Sequence, residues 1–297
     1  MGIVPLPLAL TLLSAVAPAS APESWSDARF QQLLVDGTIT SLEQACVDPL
    51  AAATKARKQQ LRDRLLAIHP IPASFDLTMR NAEALLTCGS PEGTALVLNR
   101  FSPARGEERR RWLMLRWQAA AAALDHRQAA LALRRLVDGR LADLDQITLT
   151  QQRNGLDALA EHEASLGRTQ AAAVALLEGD LTGASGARRR AKAAEWLAAT
   201  NPERADQLLE VALDEAASDQ AWGLAMELLE LQLRLQLAAG GDGERPRQRL
   251  ERLAVRLDDA YTLFQLNPED SAPSSLRSPR EPGGHAAVGE PTTAPSL

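Results

Sequence analysis

The chain has 297 residues, with 32 Lys and Arg against 38 Asp and Glu, and its formal net charge of −6 argues against nucleic acid as a general partner. Hydrophobic residues make up 45% and aromatics only 3%, so a core can form, but from Ala and Leu rather than from the aromatic and β-branched residues that fill strands. Four histidines, none four residues from another, exclude the helical His pair of a metal site, and no metal or other cofactor is expected.

Residues 3–17 are an apolar run, followed by Ala19-Ser20-Ala21, the small-x-small pattern of a signal-peptidase site. No Lys or Arg precedes the run, and Pro22 follows the cut, two departures from the usual signal. The run is also shorter than the roughly 20 residues that cross a bilayer. The reading is a cleaved signal over 1–21 and export to the periplasm or beyond the cell, with no spanning segment afterwards. No Cys lies near the cut to carry a lipid anchor.

The span 22–105 reads as an N-terminal helical region. A first helix over 23–35 is closed by Gly37, and Thr40 with Glu43 makes a capping-box start for the next. Pro49 bends or interrupts that helix, which resumes through Leu66 and stops before Pro70 and Pro72. A third element covers 76–86. Ser90-Pro91-Glu92 then gives N-cap, Pro and acid in order for a fourth, ended by Ser102-Pro103. Cys46 shares a stripe with Leu42, Ala45, Leu50 and Ala53, and Cys88 ends a segment carrying Leu77, Ala84 and Leu85. An even pair in an oxidising compartment points to a Cys46–Cys88 disulfide, with two buried free thiols as the alternative.

From 106 to 266 the pattern settles into hairpins: 107–124 with 126–137, 151–166 with 168–181, 184–199 with 202–217, and 220–239 with 245–266. Ala205, Leu208, Leu209, Ala212, Leu213 and Ala216 form one helical stripe, as do Leu250, Leu253, Ala254, Leu257, Tyr261 and Phe264. Leu229, Leu231, Leu233, Leu235 and Leu237 alternate as in a strand, but none is β-branched, so the segment reads as a helix between neighbours. Short polar turns such as Thr200-Asn201-Pro202 force antiparallel packing. The fold class expected is all-α, with antiparallel hairpins stacked as an α-solenoid.

The hairpin from Leu156 resembles a tetratricopeptide (TPR) unit. Leu156, Leu159 and Ala160 occupy the large, large and small positions of its first helix; Gly167 sits at the turn, and Ala172 and Leu176 fill the second helix. Two degenerate units surround Ala130 and Ala205. Glu163 stands where the repeat usually has Tyr, and the terminal Pro is absent. The resemblance implies a superhelical stack with a groove for peptides or protein segments.

Candidate chemistry is sparse. Glu161-His162-Glu163 reads as a solvated helix face rather than an acid–base site, since one His makes no site. Gly183-Ala184-Ser185-Gly186 lacks the signature of a phosphate loop and reads as a turn, with Ser185 capping the next helix. Three arginine clusters, Arg109–Arg111 with Arg116, Arg188–Arg190 with Lys192, and Arg245, Arg247, Arg249 with Arg252, suit either solvated faces with i,i+4 acid pairs or recognition of an acidic partner, phosphate or anionic lipid. Trp112 and Trp117 beside Arg109, Arg110, Arg111 and Arg116 form the candidate partner-binding group, with core packing as the other reading of the rings. Residues 267–297 are rich in Pro, Ser, Thr and Gly and read as a disordered tail.

The expected function is that of an exported scaffold or adaptor that binds another envelope protein or a peptide segment, with no enzyme activity expected. A helical enzyme or accessory domain acting on cell-wall polymer, and a self-assembling structural protein, stay open. The Ala/Leu/Arg-rich style resembles small exported bacterial proteins, which adds the thylakoid lumen to the periplasm as an address if the source is cyanobacterial.

Overall fold

The computed structural model describes residues 25–149 and 153–267, which group into two compact units dividing between Ser102 and Pro103. The expected signal over 1–21 lies outside these residues, as does the expected tail beyond Asn267. Every regular element among them is helical. No helix among them is long and apolar enough to cross a membrane.

The first unit holds α1 (Asp27–Asp36), α2 (Ile39–Val47), α3 (Lys55–Ala67), α4 (Phe75–Thr87) and α5 (Pro91–Leu98). Side-chain oxygens of Ser26, Thr38, Thr54 and Ser74 accept backbone N–H groups at the starts of α1 to α4, satisfying donors the helix itself leaves orphaned. The start of α2 therefore falls at Thr38, two residues before the expected capping box. Glu43 is engaged elsewhere, accepting from the Thr87 hydroxyl at 2.9 Å. Pro49 ends α2 outright: Asp48 caps it and accepts the N–H groups of Leu50 and Ala51, and no helix resumes until Lys55. Ser90 makes no capping hydrogen bond, so Pro91 opens α5 by its fixed φ alone. Phe30, Leu42, Leu61, Leu65, Leu85 and Leu98 fill the core. Cys46 of α2 and Cys88 at the end of α4 are bonded, with Cα atoms 5.1 Å apart. Arg62 of α3 clamps that junction by donating to the Cys88 and Gly89 carbonyls at 2.9 and 2.7 Å.

The second unit holds α6 (Glu107–Ala122), α7 (His126–Leu136), a 3₁₀ helix (Leu141–Gln146), α8 (Gly155–Ser165), α9 (Thr169–Leu177), α10 (Gly183–Leu197), α11 (Pro202–Ser218), α12 (Trp222–Ala238), α13 (Glu244–Leu257) and α14 (Ala260–Leu266). Consecutive helices pack on one another, so this unit is a stack of antiparallel hairpins of the α-solenoid kind. The alternating leucines at 229–237 lie in helix α12, and Asn201 caps α11 as its sequence implies.

Three local expectations are corrected. First, α8 begins at 155 rather than 151. Thr148 and Asn154 form an antiparallel bridge, and Asn154 then turns its side-chain oxygen to the N–H groups of Leu156 and Asp157. Second, the last helix is two helices. Asp258 adopts φ 56°, where a right-handed helix cannot continue, and Asp259 caps α14. The stripe from Leu250 to Phe264 is broken there, and Leu257 is exposed. Third, Gly183 to Gly186 form the first turn of α10, so Ser185 lies inside the helix and caps nothing.

Two cores run through this unit. Trp117, Leu133, Leu144, Leu156, Leu159 and Leu176 centre the first; Leu197, Leu209, Leu213, Leu228 and Leu250 centre the second. Trp196 packs against both.

Candidate functional site

Charge is segregated along the second unit. Between Arg105 and Arg135 eight arginines stand against three acids, in a chain whose net charge is −6. Glu107 and Glu108 occupy the first turn of α6, where the helix dipole favours them, and the arginines follow. Arg109, Arg110 and Arg111 are exposed, while Trp112 and Arg116 are half-buried. Helical spacing puts Arg109, Trp112 and Arg116 on one stripe, and the Arg116 guanidinium lies 4.9 Å from the Trp112 ring centroid. Burial, and then the positive field of Arg135 on α7, push the Arg116 guanidinium below its usual value. The α6–α7 hairpin thus sets Arg135 near Arg116, whose other neighbour is an aromatic ring.

Trp117 is not part of that surface. It is 4% exposed and donates its indole N–H to Nε2 of His162 at 3.1 Å. Its place on the stripe of Leu113 and Ala120 faces the first core, so core packing is the reading the structure gives it.

The segment Glu161-His162-Glu163 is also not a solvated face. Only Glu161 is exposed, paired with Arg153; His162 and Glu163 are buried. Glu163 accepts from Arg134 of α7 at 3.0 Å and from Arg168 at 3.4 Å, so its charge is neutralised from both sides. Nδ1 of His162 lies 3.0 Å from Nδ1 of His126. Because Nε2 accepts the Trp117 proton, the proton of neutral His162 sits on Nδ1 and is donated to His126. Burial, then the neighbouring His126 and Arg153, lower the His162 pKa to about 4. The tautomer also bears on metal binding. A cation on Nδ1 of His162 would need Nε2 protonated, facing the Trp117 N–H head on. No group of three metal-ligating side chains occurs among the described residues. The His pair is thus used for internal hydrogen bonding.

The other two arginine clusters act mainly as struts between helices. Arg189 of α10 reaches Asp145 at 2.5 Å and Asp157 at 3.2 Å; Arg190 pairs with Glu215 of α11. From α13, Arg245 reaches Asp206 at 2.5 Å and Arg249 reaches Glu210 at 2.8 Å, both on α11. These are tertiary pairs rather than the i,i+4 pairs expected. A hydrogen bond from Arg189 holds the Asp145 carboxyl below its ordinary range, against the effect of burial. For Asp206, burial pushes upward, but donors on Gln236, Gln232 and Arg245 outweigh it and the pKa is lowered.

Compared with known proteins, the chain matches no protein-family model and no curated relative. Arginines of α10 and α13 serve as struts, as does Arg134 of α7 on Glu163, while Arg109, Arg110 and Arg111 lie exposed on α6. Sequence spacing named both groups alike. Arg189, Arg190, Arg245 and Arg249 meet their acids through pairings across some 25 to 44 residues, which spacing in the chain does not display.

Proposed function

We propose that this protein is an exported helical-repeat scaffold or adaptor that holds an acidic segment of another envelope protein on its α6–α7 hairpin. The observation that carries the reading is the excess of eight arginines over three acids between Arg105 and Arg135, with the Arg116 guanidinium over the Trp112 ring. Arg with an aromatic ring is the composition that concentrates binding energy at protein interfaces, and Arg forks match carboxylates two bonds at a time. The TPR-like hairpin at α8–α9 supports a role in holding protein segments. The Cys46–Cys88 bond supports export, since such bonds persist in oxidising compartments.

The test is fluorescence anisotropy with a labelled peptide rich in Asp and Glu. Saturable binding is expected, weakened at least ~10-fold when Arg109, Arg110 and Arg111 are replaced together by Glu, and weakened in the parent as salt rises from ~0.05 to ~0.5 M. Equal binding by parent and triple variant, or binding that ignores salt, removes the α6–α7 site. Binding to vesicles of anionic lipid but not to the peptide would replace the protein partner with a membrane surface.

A further inference from the structure

A second site lies away from the arginine hairpin, where the end of α10, α11 and α12 enclose a cavity of about 210 Å³. Its walls are mostly apolar, with Ala205, Leu209 and Leu235 among them, and Asp206, Gln232 and Gln236 supply the polar groups. Gln232 has no exposed surface. Its Nε2 donates to Asp206 at 2.8 Å and to Glu210 at 2.6 Å. Those two bonds use both amide protons and fix which end of the amide is which, because swapping them would set the oxygen against two carboxylates. The Gln232 Oε1 is then left with no hydrogen-bond donor. Side-chain atoms of Arg64, Asn81 and Arg100 share that condition, but only Gln232 lines this cavity.

We infer that this cavity is a binding site for a small, neutral, largely apolar ring that carries one N–H or O–H donor, with Gln232 Oε1 as its acceptor. Three observations set that chemistry. Asp206 and Glu210 are already matched by Arg245 and Arg249, so the polar edge carries no spare charge to hold an ion. The walls reward an apolar body. The volume falls below the roughly 300 Å³ at which drug-sized pockets begin, so one ring fits and a larger cofactor does not. Oε1 itself is covered, so a lining side chain must move to admit the ligand; Gln236, half-buried and donating to Asp206 at 2.8 Å, lines the same cavity. The same chemistry belongs to a free molecule such as indole and to a tryptophan side chain on a partner.

The probe is indole, titrated into the full chain and followed by heteronuclear NMR, beside 1-methylindole, which keeps the ring and loses the donor. Saturable indole binding, with 1-methylindole at least ~10-fold weaker, is the expected result for a buried acceptor that needs a donor. Gln232→Leu should bind both alike. Ala198→Leu, which narrows the wall and leaves the glutamine network intact, should lose both, and it keeps the test valid if Gln232→Leu fails to fold. No saturable indole binding in the parent, or equal binding of the two probes, overturns the inference. Displacement of indole by a short peptide containing Trp assigns the site to a partner's side chain; retention of indole assigns it to a free molecule.

Discussion

Burying His162 between Trp117 and His126 makes stability depend on pH through one side chain. Its pKa falls from 6.5 to about 4 on folding. A group depressed in this way contributes stability that is complete above the unfolded value and is lost as pH falls toward the folded one. The shift corresponds to ~3 kcal/mol, lost between about pH 6.5 and pH 4. Denaturant unfolding of the second unit at a series of pH values should show that slope, and His162→Gln should flatten it. Asp145 and Asp206, both held below the ordinary carboxylate range, add a further loss at lower pH, outside the histidine's window. A sequence signal for this cluster existed. Glu163 continues the stripe Leu156, Leu159, Ala160 at i+7, so helical spacing already turns it inward. What the chain order does not carry is that Arg134 and Trp117, 29 and 45 residues away from their partners, arrive to satisfy the buried groups.

At the scale of helices, two glycines within helices make opposite predictions. A Cβ on Gly186 would lie 1.9 Å from the carbonyl carbon and oxygen of Leu181, rigid backbone that cannot step aside. Gly186→Ala should therefore destabilise the protein by about 3 kcal/mol or more, since the first turn of α10 must move. Gly223, in the first turn of α12, meets nothing within 4 Å. Gly223→Ala should stabilise by roughly 0.5–1 kcal/mol through helix propensity and a less flexible unfolded chain. Thermal unfolding of the two variants checks both signs. Helix existence was readable from apolar spacing in nearly every case, including the alternating leucines of α12, because residue type outweighed the strand-like period. Boundaries were less readable where a neighbour competed for the cap. Thr38 rather than Thr40 starts α2, and Asp258 breaks what spacing alone runs together as one helix. The 3₁₀ helix Leu141–Gln146 was not foreseen; its one buried residue, Leu144, gives no period to detect.

For the molecule as a whole, the covalent link matters most in the first unit. Cys46 and Cys88 lie 42 residues apart, and closing a loop of that length stabilises by ~4 kcal/mol in the chain-entropy model. Replacing both cysteines by Ala should raise hydrogen exchange in α2 and α4, and failure of that exchange to change would show that packing alone holds them. The even cysteine count pointed to a disulfide and left two buried thiols as the alternative; the close approach of α2 and the end of α4 decides between them. The same bond has a further effect on how the chain meets a protease. Between the two cysteines lies the turn joining α3 to α4, where His69, Pro70 and Ile71 are exposed, Ile71 at 89%. A cut in this turn opens a ring rather than a line. Both fragments stay attached, and the damage is silent on a gel until a reductant is added.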